Sequence, residues 1–211
     1  MAGALALVLI FVLLIYMSRS LWLNCASSFI TAKDDVHPAV VIVIESWEYP
    51  NELSIRTAVQ LQSSGFGKSI FLTEYFSSGY SYITYMEASQ DYHEKLDLYL
   101  KNEGIEPKDL KRIFIPKKRP VTWNSAHAVM KALASQGYHS MILVTHWHHS
   151  RRSCDVYSKV GEQENIKVLC KPVGCSVGQN NWWKSSAGLS TVFREIAERV
   201  YYLLFFGIIQ G

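Results

Sequence analysis

Hydrophobic positions along the chain are grouped into five short, nearly continuous runs. The first of them, residues 39–45 (AVVIVIE), is rich in β-branched residues and lacks alternating polar positions. Apolar runs of this length are typical of strands that are buried on both faces of a sheet. Similar runs lie at residues 68–74, 110–116, 140–146 and 166–172. The pattern therefore predicts five strands.

The segments between these runs have the periodicity of amphipathic helices. Three of them end at glycines, Gly65, Gly104 and Gly137, as is common after the last turn of a helix. Strands that alternate with helices predict right-handed βαβ units and a mainly parallel sheet. We therefore expect an α/β fold, a Rossmann-like three-layer sandwich with about five strands. Residues 76–89 form a long aromatic and serine-rich connection, which suggests a lid or binding loop.

The N-terminus has a different pattern, since residues 2–17 are uncharged and almost wholly apolar. Together with the apolar positions that follow, this tract is long enough to cross a membrane. No basic residue precedes it, unlike in a cleaved signal peptide. We predict a transmembrane anchor over 1–24, a linker over 25–37 and an α/β domain over 38–211. The protein would then be a single-pass protein, with the cytoplasmic membrane of a bacterium as the expected location.

Charge and cysteine content bear on the orientation of the anchor, on nucleic-acid binding and on disulfide formation. Arg19 and Lys33, after the apolar tract, weakly favour a cytoplasmic domain, and the orientation of the anchor stays open. The hydrophobic content of 49% and charged content of 18% are those of a folded protein, and the net charge of +3 is too small to suggest nucleic-acid binding. Cys170 and Cys175 either form a disulfide in an oxidising compartment or remain thiols.

Polar side chains follow the predicted strands. In parallel α/β sheets, ligands bind at the carboxyl ends of the strands, where the strand order reverses. Glu45 ends the first strand and Thr145 lies near the end of the fourth. Thr122 and Asn124 follow the third strand, and Trp182 follows the fifth. These residues should converge on one edge of the sheet. No glycine-rich nucleotide-binding loop follows the first strand, and we expect no cofactor.

The fourth predicted strand runs into the sequence THWHHSRR. His146 and His148 could bind a metal together with a glutamate from a neighbouring strand. No second ligand motif has a recognised spacing, so we predict no metal. His149 and Arg152 instead lie at the start of the next helix, where backbone N–H groups and a guanidinium could bind an anion. An imidazole at that position could transfer a proton near neutral pH.

In this order, the motifs RTAVQLQSSG, EKLDLYLKNEG, VTWNSA and LVTHWHHSRRS resemble the SanA/YdcF/ElyC-like family, over roughly residues 38–205. Members of this family are envelope-associated α/β proteins that often carry one N-terminal membrane span. The most specific element is the threonine–x3–histidine–x2–arginine spacing. The resemblance implies a site that contains Arg56, Glu94, Thr122, Thr145, His149 and Arg152.

Two segments depart from the family pattern. The family usually has a glycine-rich turn after the first strand, where this chain has ESWEYPNE. It also tends to have Thr-aromatic-Glu-Asn-Ala where this chain has TWNSA, so the acid is missing and Asn124 is displaced by one position. Both segments belong to the expected site, and the substrate could differ from that of relatives.

The resemblance implies a role in envelope integrity, and in lipid-carrier or surface-polysaccharide metabolism. We expect a hydrolase or transferase for a phosphorylated, lipid-linked or glycosyl substrate. Arg56 and Arg152 would hold the anion, His149 would act as general acid/base, and Glu94 or Glu45 would orient it or activate water. Asn124, Thr145 and Trp182 would add substrate contacts. The alternative is a non-catalytic accessory protein that binds a nucleotide, a glycan or a protein partner in an envelope complex.

Overall fold

The computed structural model describes residues 2–33, 36–46, 51–76, 94–105, 110–116 and 118–208. The strands are β1 (Val41–Ile44), β2 (Ser69–Phe76), β3 (Leu110–Pro116), β4 (Ser140–His146) and β5 (Lys167–Val173). The helices are α1 (Ala2–Met17), α2 (Arg19–Ile30), α3 (Glu52–Ser63), α4 (94–102), α5 (Val121–Ala134), α6 (Trp147–Gln163) and α7 (Ser186–Phe206). The loop suggested at 76–89 lies outside the described residues, apart from its first position.

The five strands form one sheet in the order β3-β2-β1-β4-β5, and all four pairings are parallel. In the central strand, Val41 is in register with Ser69 of β2 and with Met141 of β4. The predicted parallel α/β fold is therefore confirmed. The strand order reverses between β1 and β4, and a crevice at their carboxyl ends is the expected ligand position in such a sheet.

The central strand supplies side chains to both faces of the sheet, because successive residues of a strand point in opposite directions. Val41 and Val43 belong to one hydrophobic cluster, together with residues of α5 and α6. Ile42 and Ile44 belong to a second cluster, together with residues of α3 and α4. All four side chains are fully buried. This two-sided burial explains the absence of polar positions from the apolar run.

The two N-terminal helices differ in their contacts with the rest of the protein. The side chains of residues 9–17 in α1 are all exposed, whereas α2 packs against α6 and α7 through Leu23 and Ile30. The peptide N–H of Ala32 donates to Ser150 Oγ of α6 at 2.9 Å. Within the predicted linker 25–37, the part that belongs to α2 is thus attached to the α/β domain.

Of the helices in the described ranges, none is by itself both long and apolar enough to cross a membrane. The helix pair Leu9–Met17 and Arg19–Ile30 meets these conditions together, with a bend of 55° between its halves.

A disulfide joins Cys154 of α6 to Cys170 of β5, with a Cα–Cα distance of 6.1 Å. Cys25 and Cys175 are free thiols. A disulfide between Cys170 and Cys175 is therefore wrong, and so is a free thiol at Cys170, whereas Cys175 is a thiol. The sequence did not suggest the observed partner, because the pairing depends on how α6 packs against β5. The disulfide fixes the helix that carries His149 to the edge strand of the sheet.

Candidate functional site

The carboxyl ends of β1 and β4 bring Glu45 beside Thr145. The register pairs Ile44 with Val144, and the peptide N–H of Glu45 donates to the carbonyl of Val144 at 2.9 Å. Both polar side chains are buried, with exposed fractions of 7% for Glu45 and 1% for Thr145. Among the residues that the structure describes, none forms a hydrogen bond with either carboxylate oxygen of Glu45. A buried carboxylate without donors is costly, which marks Glu45 as a candidate ligand-binding group.

His149, in the first turn of α6, lies between two buried carboxylates. Its Nε2 is 3.7 Å from Glu45 Oε1, and its Nδ1 is 3.2 Å from Glu195 Oε1 of α7. Burial and the charge of Arg152 both oppose protonation of the imidazole. The two carboxylates outweigh them and raise the pKa of His149 to about 9. At neutral pH the ring is therefore an imidazolium, which is a proton donor.

Burial alone would raise the pKa of Glu45. The charge of His149 and the hydroxyls of Ser153 and Thr145 outweigh this effect, and the pKa of Glu45 is lowered. The carboxyl group is thus ionised near neutral pH. A carboxylate and an imidazolium that face each other can serve as a base and an acid in one reaction.

The Arg152 guanidinium, only 4% exposed, is surrounded by acceptors. Its Nε and Nη2 donate to Glu195 Oε2 at 3.2 and 2.9 Å, and Nη2 lies 2.7 Å from Glu198 Oε2. Its Nη1 donates to the hydroxyl of Thr122 at the start of α5. Arg152 therefore links α5, α6 and α7 beneath the strand ends, and its charge is balanced within the protein.

The Nδ1 atom of His149 has two contacts that belong to different protonation states. It lies 2.7 Å from Arg152 Nη2, a contact in which Nδ1 must be the acceptor. It also lies 3.2 Å from Glu195 Oε1, a contact in which Nδ1–H must be the donor. The neutral ring can satisfy the first contact and the imidazolium the second. Loss of the Nδ1 proton would therefore transfer Nδ1 from Glu195 to Arg152, whereas loss of the Nε2 proton would leave the contact with Glu195 in place.

Two helices begin at this edge of the sheet without a side-chain cap from any described residue. The N-cap of α5 is Pro120 and that of α6 is His146. Thr122 lies inside α5, and its hydroxyl accepts a hydrogen bond from Arg152. The uncapped first turns present backbone N–H groups and the positive ends of two helix dipoles. Such groups can hold an anion.

A chain of hydroxyls adjoins the cluster. Tyr75 of β2 donates to Ser125 Oγ at 2.9 Å, and Ser125 Oγ is 2.7 Å from the hydroxyl of Tyr157. Burial, together with the charge of Glu45, raises the pKa of both tyrosines above its ordinary value. Both phenols therefore stay protonated and can act only as neutral hydrogen-bonding groups.

His146 and His148 lie on the same edge, with ring centroids 5.7 Å apart. Burial and the charge of His149 lower the pKa of both imidazoles, that of His148 to about 3. At neutral pH these two rings are uncharged, so of the three histidines in THWHHSRR only His149 adds a positive charge.

The structure places four other predicted site residues differently. Arg56 lies on the surface of α3 and forms ion pairs with Glu52 and Glu103 at 2.9 and 3.2 Å. Glu94 is exposed at the first described position of α4. Their roles in the site remain predictions.

The Asn124 amide donates to the carbonyls of Lys118 and Pro120, both at 2.9 Å, and so stabilises the turn before α5. Trp182, 1% exposed, packs into the hydrophobic cluster that contains Leu23 and Ile30 of α2. A substrate contact for either residue stays a prediction.

Sequence reasoning missed Glu195, the residue that joins His149 to Arg152. A signal was present in α7, whose buried residues include Val192, Glu195 and Tyr202. Their spacing is that of a single helix face. A glutamate on the buried face of a helix indicates a buried partner, although the sequence does not tell which one.

No family model and no curated protein matches the chain. Among solved structures, it is similar to a universal stress protein from Archaeoglobus fulgidus in complex with dAMP, with 12% identity, a TM-score of 0.39, and coverage of 64% of this chain and 98% of that one. A universal stress protein family member from Burkholderia pseudomallei has the same identity and TM-score, with coverage of 64% and 97%. The U34-tRNA thiolase NcsA from Methanococcus maripaludis, with its [4Fe-4S] cluster, is 8% identical with a TM-score of 0.35, and 84% of this chain and 78% of that one are covered. Similarities of this size indicate neither a shared family nor a shared activity.

Proposed function

We propose that this chain is a membrane-anchored envelope protein similar to the SanA/YdcF/ElyC-like family, and that it is a hydrolase or transferase for a phosphorylated, lipid-linked or glycosyl substrate. The observation that carries the proposal is the buried Glu45–His149–Glu195 arrangement at the point where the strand order reverses. It combines an ionised base, a charged acid and a third group that orients the acid.

In a hydrolytic reaction, the Glu45 carboxylate takes a proton from water as the water oxygen forms a bond to phosphorus. The bond between phosphorus and the leaving oxygen breaks, and His149 donates a proton to that oxygen. The products are a phosphate and an alcohol, or two phosphates if the substrate is a diphosphate. Glu195 holds the Nδ1 side of the imidazolium during the transfer, at 3.2 Å.

The phosphate is better held by the first turns of α5 and α6 than by Arg152. Two carboxylates, Glu195 and Glu198, lie within 3 Å of the Arg152 guanidinium and already balance its charge. The N-termini of α5 and α6, by contrast, present uncapped N–H groups within the described structure. Arg152 would then maintain the geometry of His149 and contact the substrate little.

Two exposed apolar surfaces support attachment to a membrane. The first is α1, whose residues 9–17 are all exposed. The second is one side of α7, where Phe193, Leu204 and Phe205 are 60%, 74% and 72% exposed. Exposed aromatic and leucine side chains on one helix are typical of contact with a membrane or a partner.

The disulfide between Cys154 and Cys170 supports placement of the α/β domain on the outer side of the membrane. Disulfides persist in oxidising compartments and are rare in the bacterial cytoplasm. This outweighs the weak preference of Arg19 and Lys33 for a cytoplasmic domain, since two positive charges determine orientation poorly.

The test uses the purified full-length chain with inorganic phosphate, a nucleotide diphosphate sugar and a polyprenyl phosphate as probes. We expect at least one probe to raise the melting temperature of the protein. We also expect the protein to hydrolyse a phosphate ester or diphosphate of the same chemical class as that probe. Glu45→Gln and His149→Gln should abolish turnover, whereas the exposed His139→Gln should not. The absence of stabilisation by any of the three probes, or unchanged turnover in both site variants, would contradict the proposal.

A non-catalytic accessory role is the second candidate. The observation in its favour is the mutual charge balance of Arg152, Glu195 and Glu198, which is also found in purely structural ion-pair networks. In this case a nucleotide, glycan or protein partner would bind at the same edge. Stabilisation by a probe without any turnover, unaffected by His149→Gln, would favour this role.

A further inference from the structure

We propose that His146, His148 and Cys175 form a binding site for Zn²⁺ at the carboxyl edge of β4 and β5. One potential ligand atom from each of the three side chains lies within 4.8 Å of the other two. The site differs from the His149 cluster in every ligand, and the inference does not depend on the proposed catalytic function. It also revises the sequence prediction of no metal, which considered the histidines with a glutamate and not with Cys175.

The sheet explains why these residues meet. β4 and β5 are parallel neighbours, and His146 at the end of β4 is in register with Val173 at the end of β5. Cys175 is two positions beyond Val173, so the chain leaving β5 carries its thiol toward His146. His148 is two positions beyond His146, in the first turn of α6. The three residues therefore come from two adjacent strand ends that the sheet fixes in register.

The burial of His148 is an independent indication of a ligand. Its Nδ1 atom is buried, yet it has no hydrogen-bond partner among the residues that the structure describes. Buried polar atoms in native proteins nearly always have a partner, and an exception points to an ion or a water molecule. A metal held by His148 and its two neighbours would fix the orientation of this ring.

The ligand set selects the class of metal. Two imidazoles and a thiolate suit Zn²⁺ and similar borderline-soft ions, whereas Ca²⁺ and Mg²⁺ require several oxygen ligands. Zinc bonds of about 2.0–2.1 Å to nitrogen and about 2.3 Å to sulfur put tetrahedral ligand atoms roughly 3.3–3.6 Å apart. The three ligand atoms lie up to 4.8 Å apart here, and small side-chain rotations would bring them into that range. The Cys175 thiol loses its proton to solvent when the metal binds.

Three protein ligands leave a fourth position for water or another ligand. All three side chains are partly exposed, so the ion can enter from solvent. His149 follows His148 directly in the sequence, and the bound ion would add positive charge to the edge at which Glu45 and His149 lie. An anion held by the first turn of α6 could then also occupy the open zinc position.

The test uses full-length protein that carries an affinity tag without histidines, freed of metal with a chelator and kept under non-reducing conditions to preserve the disulfide. Titration with Co²⁺ should give one equivalent bound, with a thiolate-to-cobalt charge-transfer band and intense visible bands of tetrahedral Co²⁺. One equivalent of Zn²⁺ should displace the cobalt and abolish the spectrum. A wild-type spectrum without the charge-transfer band would overturn the proposal, whatever the variants do.

Two variants assign the ligands. Cys175→Ser should lose the charge-transfer band, and His148→Gln should keep the band but weaken Co²⁺ binding by more than roughly 100-fold, since even outer-sphere partners of metal ligands typically contribute 10–100-fold. The matched controls are Cys25→Ser, at the other free thiol, and the exposed His139→Gln. Both controls should bind cobalt as wild type does. A band that survives in Cys175→Ser and disappears in Cys25→Ser would also refute the site.

Discussion

The charge state of His149 determines a measurable part of the stability of the fold. The imidazole lies between Glu45 and Glu195, and its pKa is raised from 6.5 to about 9. Replacement by glutamine keeps a polar side chain of similar size but removes the titrating group. Comparison of wild type with His149→Gln as a function of pH therefore isolates the contribution of the imidazolium.

The direction and size of the effect follow from linkage. A group whose pKa is higher in the folded than in the unfolded protein stabilises the fold fully below the unfolded pKa, and this stabilisation is lost as the pH rises through the folded pKa. The difference between 6.5 and about 9 corresponds, at about 1.4 kcal/mol per pKa unit, to roughly 3 kcal/mol. As the pH rises from 6.5 to about 9, the free energy of unfolding of wild type should therefore fall by about 3 kcal/mol relative to that of His149→Gln.

Urea denaturation of both proteins, monitored by circular dichroism at several pH values from 6 to 10, measures the difference directly. Groups remote from His149 affect both proteins equally and cancel in the difference. The exposed His139→Gln provides the control and should follow wild type at every pH. A wild-type minus His149→Gln difference that does not change with pH would show that Nδ1 accepts from Arg152 in a neutral ring, and the reasoning from two carboxylates would be wrong.

Three further changes test other parts of the structure. Reduction of the Cys154–Cys170 disulfide, which spans a sequence separation of 16, should lower the free energy of unfolding by about 3 kcal/mol; an unchanged urea midpoint would argue against this pairing. Gly161→Ala places a Cβ 2.5 Å from the carbonyl oxygen of Ile166 and should destabilise by about 1–3 kcal/mol, to be measured by thermal denaturation. Leu204→Glu, at a 74% exposed position, should leave stability within about 0.5 kcal/mol of wild type but weaken flotation with anionic lipid vesicles. Equal flotation of both proteins would remove α7 from the membrane contact.

Most of the sheet could be predicted because two-sided burial leaves a strong pattern in the sequence. The predicted strands 110–116 and 140–146 coincide with β3 and β4. Helix boundaries were less accurate, since α6 begins at Trp147, two residues before His149, where the helix was expected to start. A β-strand that passes directly into a helix, with His146 extended and Trp147 already helical, has no glycine, proline or polar capping residue to mark the change.

The sequence predicted the part of the candidate site that lies at the ends of the strands. Glu45, Thr145 and His149 converge because parallel strands bring their carboxyl ends to the same edge. Glu195 could not be placed in this way, because its position depends on how α7 packs against α6. The same reason applies to the Cys154–Cys170 disulfide, which joins α6 to β5. Contacts between a helix and a distant part of the chain depend on tertiary packing, which local periodicity does not encode.

The two carboxylates beside His149 differ in their hydrogen bonds, and this difference distinguishes a structural role from a catalytic one. Glu195 accepts hydrogen bonds from Arg152 and contacts Nδ1 of the imidazole, so its position is fixed by partners on α6. No hydrogen bond of normal geometry from a described residue reaches either carboxylate oxygen of Glu45. The hydroxyls of Ser153 and Thr145 are near enough to lower its pKa, and His149 Nε2 lies 3.7 Å away. A carboxylate that only stabilised the fold would be expected to gain donors of its own, because an unsatisfied buried charge is destabilising. The free capacity of Glu45 therefore indicates where a water molecule or substrate hydroxyl would bind, on the Nε2 side of His149.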